Sequence, residues 1–187
     1  MATKQRPTVV ESPVTARPGT TFDLYFVTFP RHGDWSGVML DIERSPWRTQ
    51  PFDDKDHELW QKMAARVGAL LPGSEVRSIA GMHELTHARS GIQFSYVPGG
   101  VVLTVPYWYT GDDADRLVRL LQRIAQAIEV ETSLIAYDPQ AEAPFLAYGA
   151  GSAAATFQER CQAEFALGQV PSPKLPRGTG WRRLCRS

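Results

Sequence analysis

Residues 83–108 read HELTHARSGIQFSYVPGGVVLTVPYW, and the fold of the whole chain depends on how this stretch is read. The first five residues fit the pattern H-E-x-x-H. On a helix, that spacing puts two histidines on one face, one turn apart, with a glutamate beside a metal-bound water. The remainder has a period of two. Ile92, Phe94 and Tyr96 alternate with Gln93, Ser95 and Val97. After Pro98-Gly99-Gly100, Val101, Leu103, Val105 and Tyr107 alternate with Val102, Thr104, Pro106 and Trp108. Two such runs around a glycine-rich turn predict a β-hairpin. Pro106 cannot donate to a ladder, so it marks the end or the edge of its strand.

The histidine motif competes with this hairpin for space. Gly81 and Ser90-Gly91 bracket it, leaving about nine residues, barely two helical turns. Just upstream, Val76, Ser78 and Ala80 alternate with Arg77 and Ile79, which also suits a strand. The strand reading is preferred here.

Working outward, Thr21–Phe29 (TFDLYFVTF) predicts a strand with apolar residues on both faces, and therefore a central one. The VMLDI run, Val38 to Ile42, is consistent with a short strand. Pro46, Trp47 and Pro51 mark a loop. A helix is expected from Asp54 to Leu71, with Asp53 as N-cap and Leu59, Met63, Val67 and Leu70 as its apolar stripe. His57 and Glu58 are expected on its solvated face. A second helix is expected from Asp112 to Ile128, with Thr110 as N-cap, Asp113 at the third position, and a stripe of Leu117, Leu121, Ile124 and Ile128. A strand at Ser133–Tyr137, a loop over 141–150 and a C-terminal helix from Ala153 to Leu167 complete the pattern.

Strand, helix, strand, strand, helix, strand is the βαββαβ or ferredoxin-like order. The expected fold is therefore α+β: an antiparallel sheet with two helices on one face and an extra C-terminal helix. Residues 1–20 read as a flexible N-terminal arm, 21–168 as one domain, and 169–187 as a basic, proline-containing tail.

Composition narrows the function classes. Of 187 residues, 43% are hydrophobic, enough for an ordinary core. Lys plus Arg and Asp plus Glu both total 20, so no global charge draws the chain to nucleic acid or an anionic membrane. No apolar run reaches the roughly 18 residues of a membrane span. The first 21 residues lack the apolar segment of a secretory signal, so a cytoplasmic location is expected. Cys161 and Cys185 are expected as free thiols, too few for a disulfide framework. No nucleophile elbow, phosphate loop or dinucleotide fingerprint is present.

His83 to His87, extended by Ala88, resembles the start of the thermolysin-type zinc metallopeptidase motif. That resemblance implies His83 and His87 as zinc ligands and Glu84 as general base of a small zinc-dependent hydrolase. It lacks the third ligand those enzymes carry on a following helix, so it is kept as the alternative, with zinc as its cofactor. A broader resemblance runs over residues 22–140. Asp23-Leu24-Tyr25-Phe26, the hairpin from Gly91-Ile92-Gln93 to Val105-Pro106-Tyr107-Trp108, and Glu131-Thr132 through Tyr137-Asp138-Pro139-Gln140 together resemble a family of small bacterial proteins of immunity type, encoded near toxins. The resemblance implies a non-enzymatic, protein-binding protein that neutralises a cognate toxin and needs no cofactor. On this reading Tyr107, Trp108, Tyr109, Asp138 and Gln140 form a candidate partner surface, because they end two strands and can lie near one another.

Overall fold

The computed structural model describes residues 21–30, 34–35, 37–44, 51–79, 81–98, 100–147 and 149–166. The expected N-terminal arm and C-terminal tail lie outside the described residues, as do His32 and Cys185. The strands are β1 (Thr21–Val27), β2 (Glu75–Ile79), β3 (Met82–His87), β4 (Ile92–Val97), β5 (Gly100–Pro106), β6 (Ile135–Asp138) and β7 (Ala143–Pro144). The helices are α1 (Val38–Arg44), α2 (Asp54–Leu70), α3 (Gly111–Thr132) and α4 (Ala150–Ala166), with a 3-10 turn at Phe145–Ala147. All seven strands form one antiparallel sheet in the order β2-β3-β4-β5-β1-β6-β7.

The α+β class with an antiparallel sheet is as expected. A ferredoxin-like order has four strands, whereas this sheet has seven. Strands β2, β3 and β7 do not figure in the expected four-strand order, and β7 falls in the segment expected as loop. Val38–Ile42 is helical rather than a strand. Only Val38 of that run is buried, with Leu40 exposed, so the run lacks the paired, half-buried setting that β-branched residues need to form a strand.

The sheet has two unlike faces because its strands alternate. Phe22, Leu24 and Phe26 of β1, Phe94 of β4 and Val101, Leu103 and Val105 of β5 all point to one side and are buried. The helices cover that side. Trp60 of α2 stacks on Phe94 at 5.6 Å, and Phe157 of α4 meets Phe22 edge-on at 5.4 Å. In α3 the expected stripe of Leu117, Leu121, Ile124 and Ile128 is wholly buried, beside Ala114, Val118, Leu120 and Ala125. The opposite face carries Thr86, Gln93, Ser95 and Thr104, all half-buried. There Tyr137 is deeply covered, with Trp35 stacked on it at 5.4 Å.

Local chemistry sets the boundaries. Asp53 caps α2: its carboxylate accepts from Asp56 N–H at 2.8 Å, and Asp56 reciprocates toward Asp53 N–H at 3.1 Å. Thr110 caps α3 without a side-chain hydrogen bond, and Asp113 instead accepts from Arg116 at 2.6 Å. The buried stripe of α2 is Trp60, Met63 and Val67, with Leu59 and Leu70 at its flanks. The β4–β5 hairpin forms as read, with Val97 opposite Gly100.

Candidate functional site

Strand β3 carries the histidine motif, and strand geometry decides what the motif can do. Positions 83, 85 and 87 point to the helix-covered face, and position 84 points to the other. His83 and His87 are about 13 Å apart along a strand, and side chains on a strand stand roughly perpendicular to the sheet. The rings therefore do not converge, and Glu84 lies on the opposite face. The one-turn juxtaposition of a thermolysin-type site is not formed.

Each histidine has its own partners. His87 is buried and shares a 2.7 Å hydrogen bond with Ser90 Oγ. It also bonds to the Pro72 backbone, which ties the β3–β4 turn to the end of α2. Ser90 accepts at its carbonyl from Tyr109 O–H at 2.7 Å and holds Ile92 N–H at 3.3 Å. Burial pushes the His87 pKa down, assisted by Arg89.

His83 sits in a more varied setting. Its Nδ1 meets Ser78 Oγ of β2 at 2.8 Å, and its Nε2 faces Nδ1 of His57 on α2 at 3.3 Å. Trp60 lies flat on one side of the ring, and Phe52 packs 4.3 Å away. Beside them Tyr96 donates its hydroxyl to Asp56 Oδ1 at 2.5 Å. Burial lowers the His83 pKa, and His57 lowers it further while Asp56 opposes. His57 is exposed, so this cluster runs from the core to solvent. Sequence reading places His57 on a solvated face and does not see its partner. The pairing depends on α2 crossing β3, which no local pattern encodes.

The residues expected at a partner surface are brought together, largely under cover. Gln140 Nε2 donates to the Tyr107 hydroxyl, and Gln140 N–H donates to Asp138 Oδ1 at 2.8 Å. Tyr107, Tyr109 and Asp138 are each 4% exposed, whereas Trp108 and Gln140 are half-buried. Burial raises the Tyr107 pKa to about 12 and also raises that of Asp138. The ends of β5 and β6 thus meet as expected, but Tyr107 points into the core beside Phe22 and Phe157, and Tyr109 is buried against Trp108.

The two edges of the sheet differ. At one edge, β7 has two residues, the second being Pro144, which has no N–H to offer. At the other edge, β2 has five residues, all exposed, and among the described residues pairs only with β3. Val76 and Ile79 are each 54% exposed there. Val76 lies opposite Leu85 and so shares the helix-covered face, whereas Ile79 lies opposite Met82 on the other face. Glu75 and Arg77 pair with each other at 3.1 Å. The period-two pattern at 76–80 signals this strand, but only the sheet order shows that it ends the sheet.

Comparison with protein-family models, with curated proteins and with solved structures returned no match.

Proposed function

We propose that the chain is a non-enzymatic protein-binding protein that receives an extended segment of its partner along the outer side of β2. The observation that carries this reading is the unequal treatment of the two sheet edges. An open edge offers unpaired N–H and C=O groups as a template for another strand, and proteins commonly blunt such edges with short strands and proline. The β7 edge is blunted in this way; the β2 edge is longer and carries two exposed β-branched residues, one on each face. An added strand gains main-chain hydrogen bonds from the edge and side-chain contacts from Val76 and Ile79.

The class of partner comes from the immunity-type resemblance: a toxin, bound and neutralised in the cytoplasm. Trp108 and Gln140 remain in this reading as half-exposed contacts, with Tyr107, Tyr109 and Asp138 as the buried frame that holds them. The order β6-β1-β5-β4, with α2 after β1 and α3 after β5, supports a ferredoxin-like reading of the sheet's centre, with β2, β3 and β7 added to it. No helix among the described residues is long and apolar enough to cross a membrane.

The test is co-expression with the products of the neighbouring reading frames. One of them is toxic alone and tolerated with the parent chain. A Val76→Lys/Ile79→Lys double variant, folded by circular dichroism, loses that protection, because edge lysines oppose strand addition. Protection that survives the double variant contradicts the docking edge. The absence of any neutralised neighbour contradicts the immunity reading.

A further inference from the structure

We propose that His57 and His83 form a binding site for a divalent transition metal, zinc(II) in particular. The site joins the N-terminal turns of α2 to β3 and is independent of the docking reading above.

The first support is distance. His57 Nδ1 and His83 Nε2 face each other at 3.3 Å. Two nitrogens on one tetrahedral zinc, each bonded at about 2.0–2.1 Å, stand about 3.3–3.4 Å apart. The spacing of the two nitrogens, which share a hydrogen bond in the metal-free chain, matches that of two ligands on one ion.

The second support is what holds the rings. A ligating histidine ordinarily anchors its other ring nitrogen on a hydrogen-bonding partner, which fixes ring orientation and tautomer. His83 does so, with Nδ1 on Ser78 Oγ at 2.8 Å. When that nitrogen carries the proton, the Nε2 lone pair points at the gap. Trp60 stacked at 5.2 Å and Phe52 at 4.3 Å prevent the ring from turning away. Phe52 also packs on His57 at 5.5 Å. His57 is exposed, so the ion has a route from solvent and the ring can exchange tautomers there.

The third support is charge. A cation near a helix N-terminus is opposed by the helix dipole, and Asp53, Asp54 and Asp56 offset that field. Asp56 acts directly on His83. Its Oδ1 accepts from Tyr96 and its Oδ2 from Asp53 N–H, so it acts as a neighbouring charge rather than a ligand. Among the described residues no group of three His, Cys, Asp or Glu side chains surrounds one point. Among the described residues the two imidazoles are therefore the ligands, and water completes the shell. This is an open, exchangeable site, distinct from the four-ligand closed sites that hold folds together. Imidazole pairs suit zinc, copper and nickel.

The site is tested by titrating the metal-free full chain with zinc chloride at neutral pH in a calorimeter. One equivalent binds. His57→Ala, at an exposed position that leaves the fold intact, weakens that binding by at least about tenfold, since even outer-shell changes cost 10–100-fold. His83→Ala does the same. Binding also weakens in acid, because protonated imidazole cannot ligate. A His57→Ala protein that binds zinc as tightly as the parent overturns the proposal, as does a parent that binds none.

Discussion

Trp60 lies flat against His83, with ring centroids 5.2 Å apart and planes 13° from parallel. This contact joins α2 to β3, and it holds an ionisable ring in a setting that favours its neutral form. Burial pushes the pKa of His83 down, and that of His87 as well. A folded-state pKa below the unfolded value of about 6.5 gives stability that is fully present above that pH. The stability is lost as pH falls through the lowered folded value, because the unfolded chain then binds more protons. The melting temperature should therefore drop between roughly pH 7 and pH 5. His87→Gln should melt lower at neutral pH and show a shallower drop, measured by circular dichroism across that range.

Gly91 is required where it stands. Its φ is +66°, and a Cβ there would lie 2.7 Å from Trp108 Cζ2 and 2.9 Å from Pro106 Cγ. Gly91→Ala should cost about 2–4 kcal/mol, combining left-handed backbone strain with overpacking. Gly111 also has a positive φ, +54°, but open space around it. Gly111→Ala should cost only the backbone part, about 1–2 kcal/mol. Urea midpoints of the two variants measure the difference.

The Tyr109 hydroxyl donates to the Ser90 carbonyl at 2.7 Å, and both residues are buried. Tyr109→Phe keeps the ring and leaves that carbonyl without this donor. The expected loss is about 1–3 kcal/mol in urea unfolding. It should be accompanied by faster amide exchange at Ile92, which Ser90 Oγ also holds.

Cys161 is a free, fully buried thiol whose pKa burial raises to about 12. The thiolate is the reactive form, so Cys161 should resist N-ethylmaleimide in the native protein and react in urea. Mass spectrometry of the labelled peptides reads this directly.

Much of the fold can be read locally in the sequence. The β4–β5 hairpin, the Asp53 cap and the α3 stripe depend on near-neighbour patterns, and all three form as read. The histidine motif is decided by glycine spacing, which leaves too little room for a zincin helix. Two failures share a cause. Val38–Ile42 is β-branched at both ends yet helical, because no strand among the described residues pairs with it. Ala143–Pro144 carries no strand signal and joins the sheet only because β6 lies alongside. Tertiary context overrode propensity in both places. Tyr107 and Gln140 meet, as two strand ends can, but inward burial of the tyrosine follows from phase with Val105 rather than from its type. The His57–His83 contact and the open β2 edge both depend on packing and strand order, beyond the reach of sequence periodicity.

The most direct test of the central claim is amide hydrogen exchange across the sheet, with and without the neutralised partner. The account predicts new protection at Glu75–Ile79 in the complex, with the β7 edge at Ala143 unchanged. Protection elsewhere with β2 amides exchanging as in the free chain would contradict it.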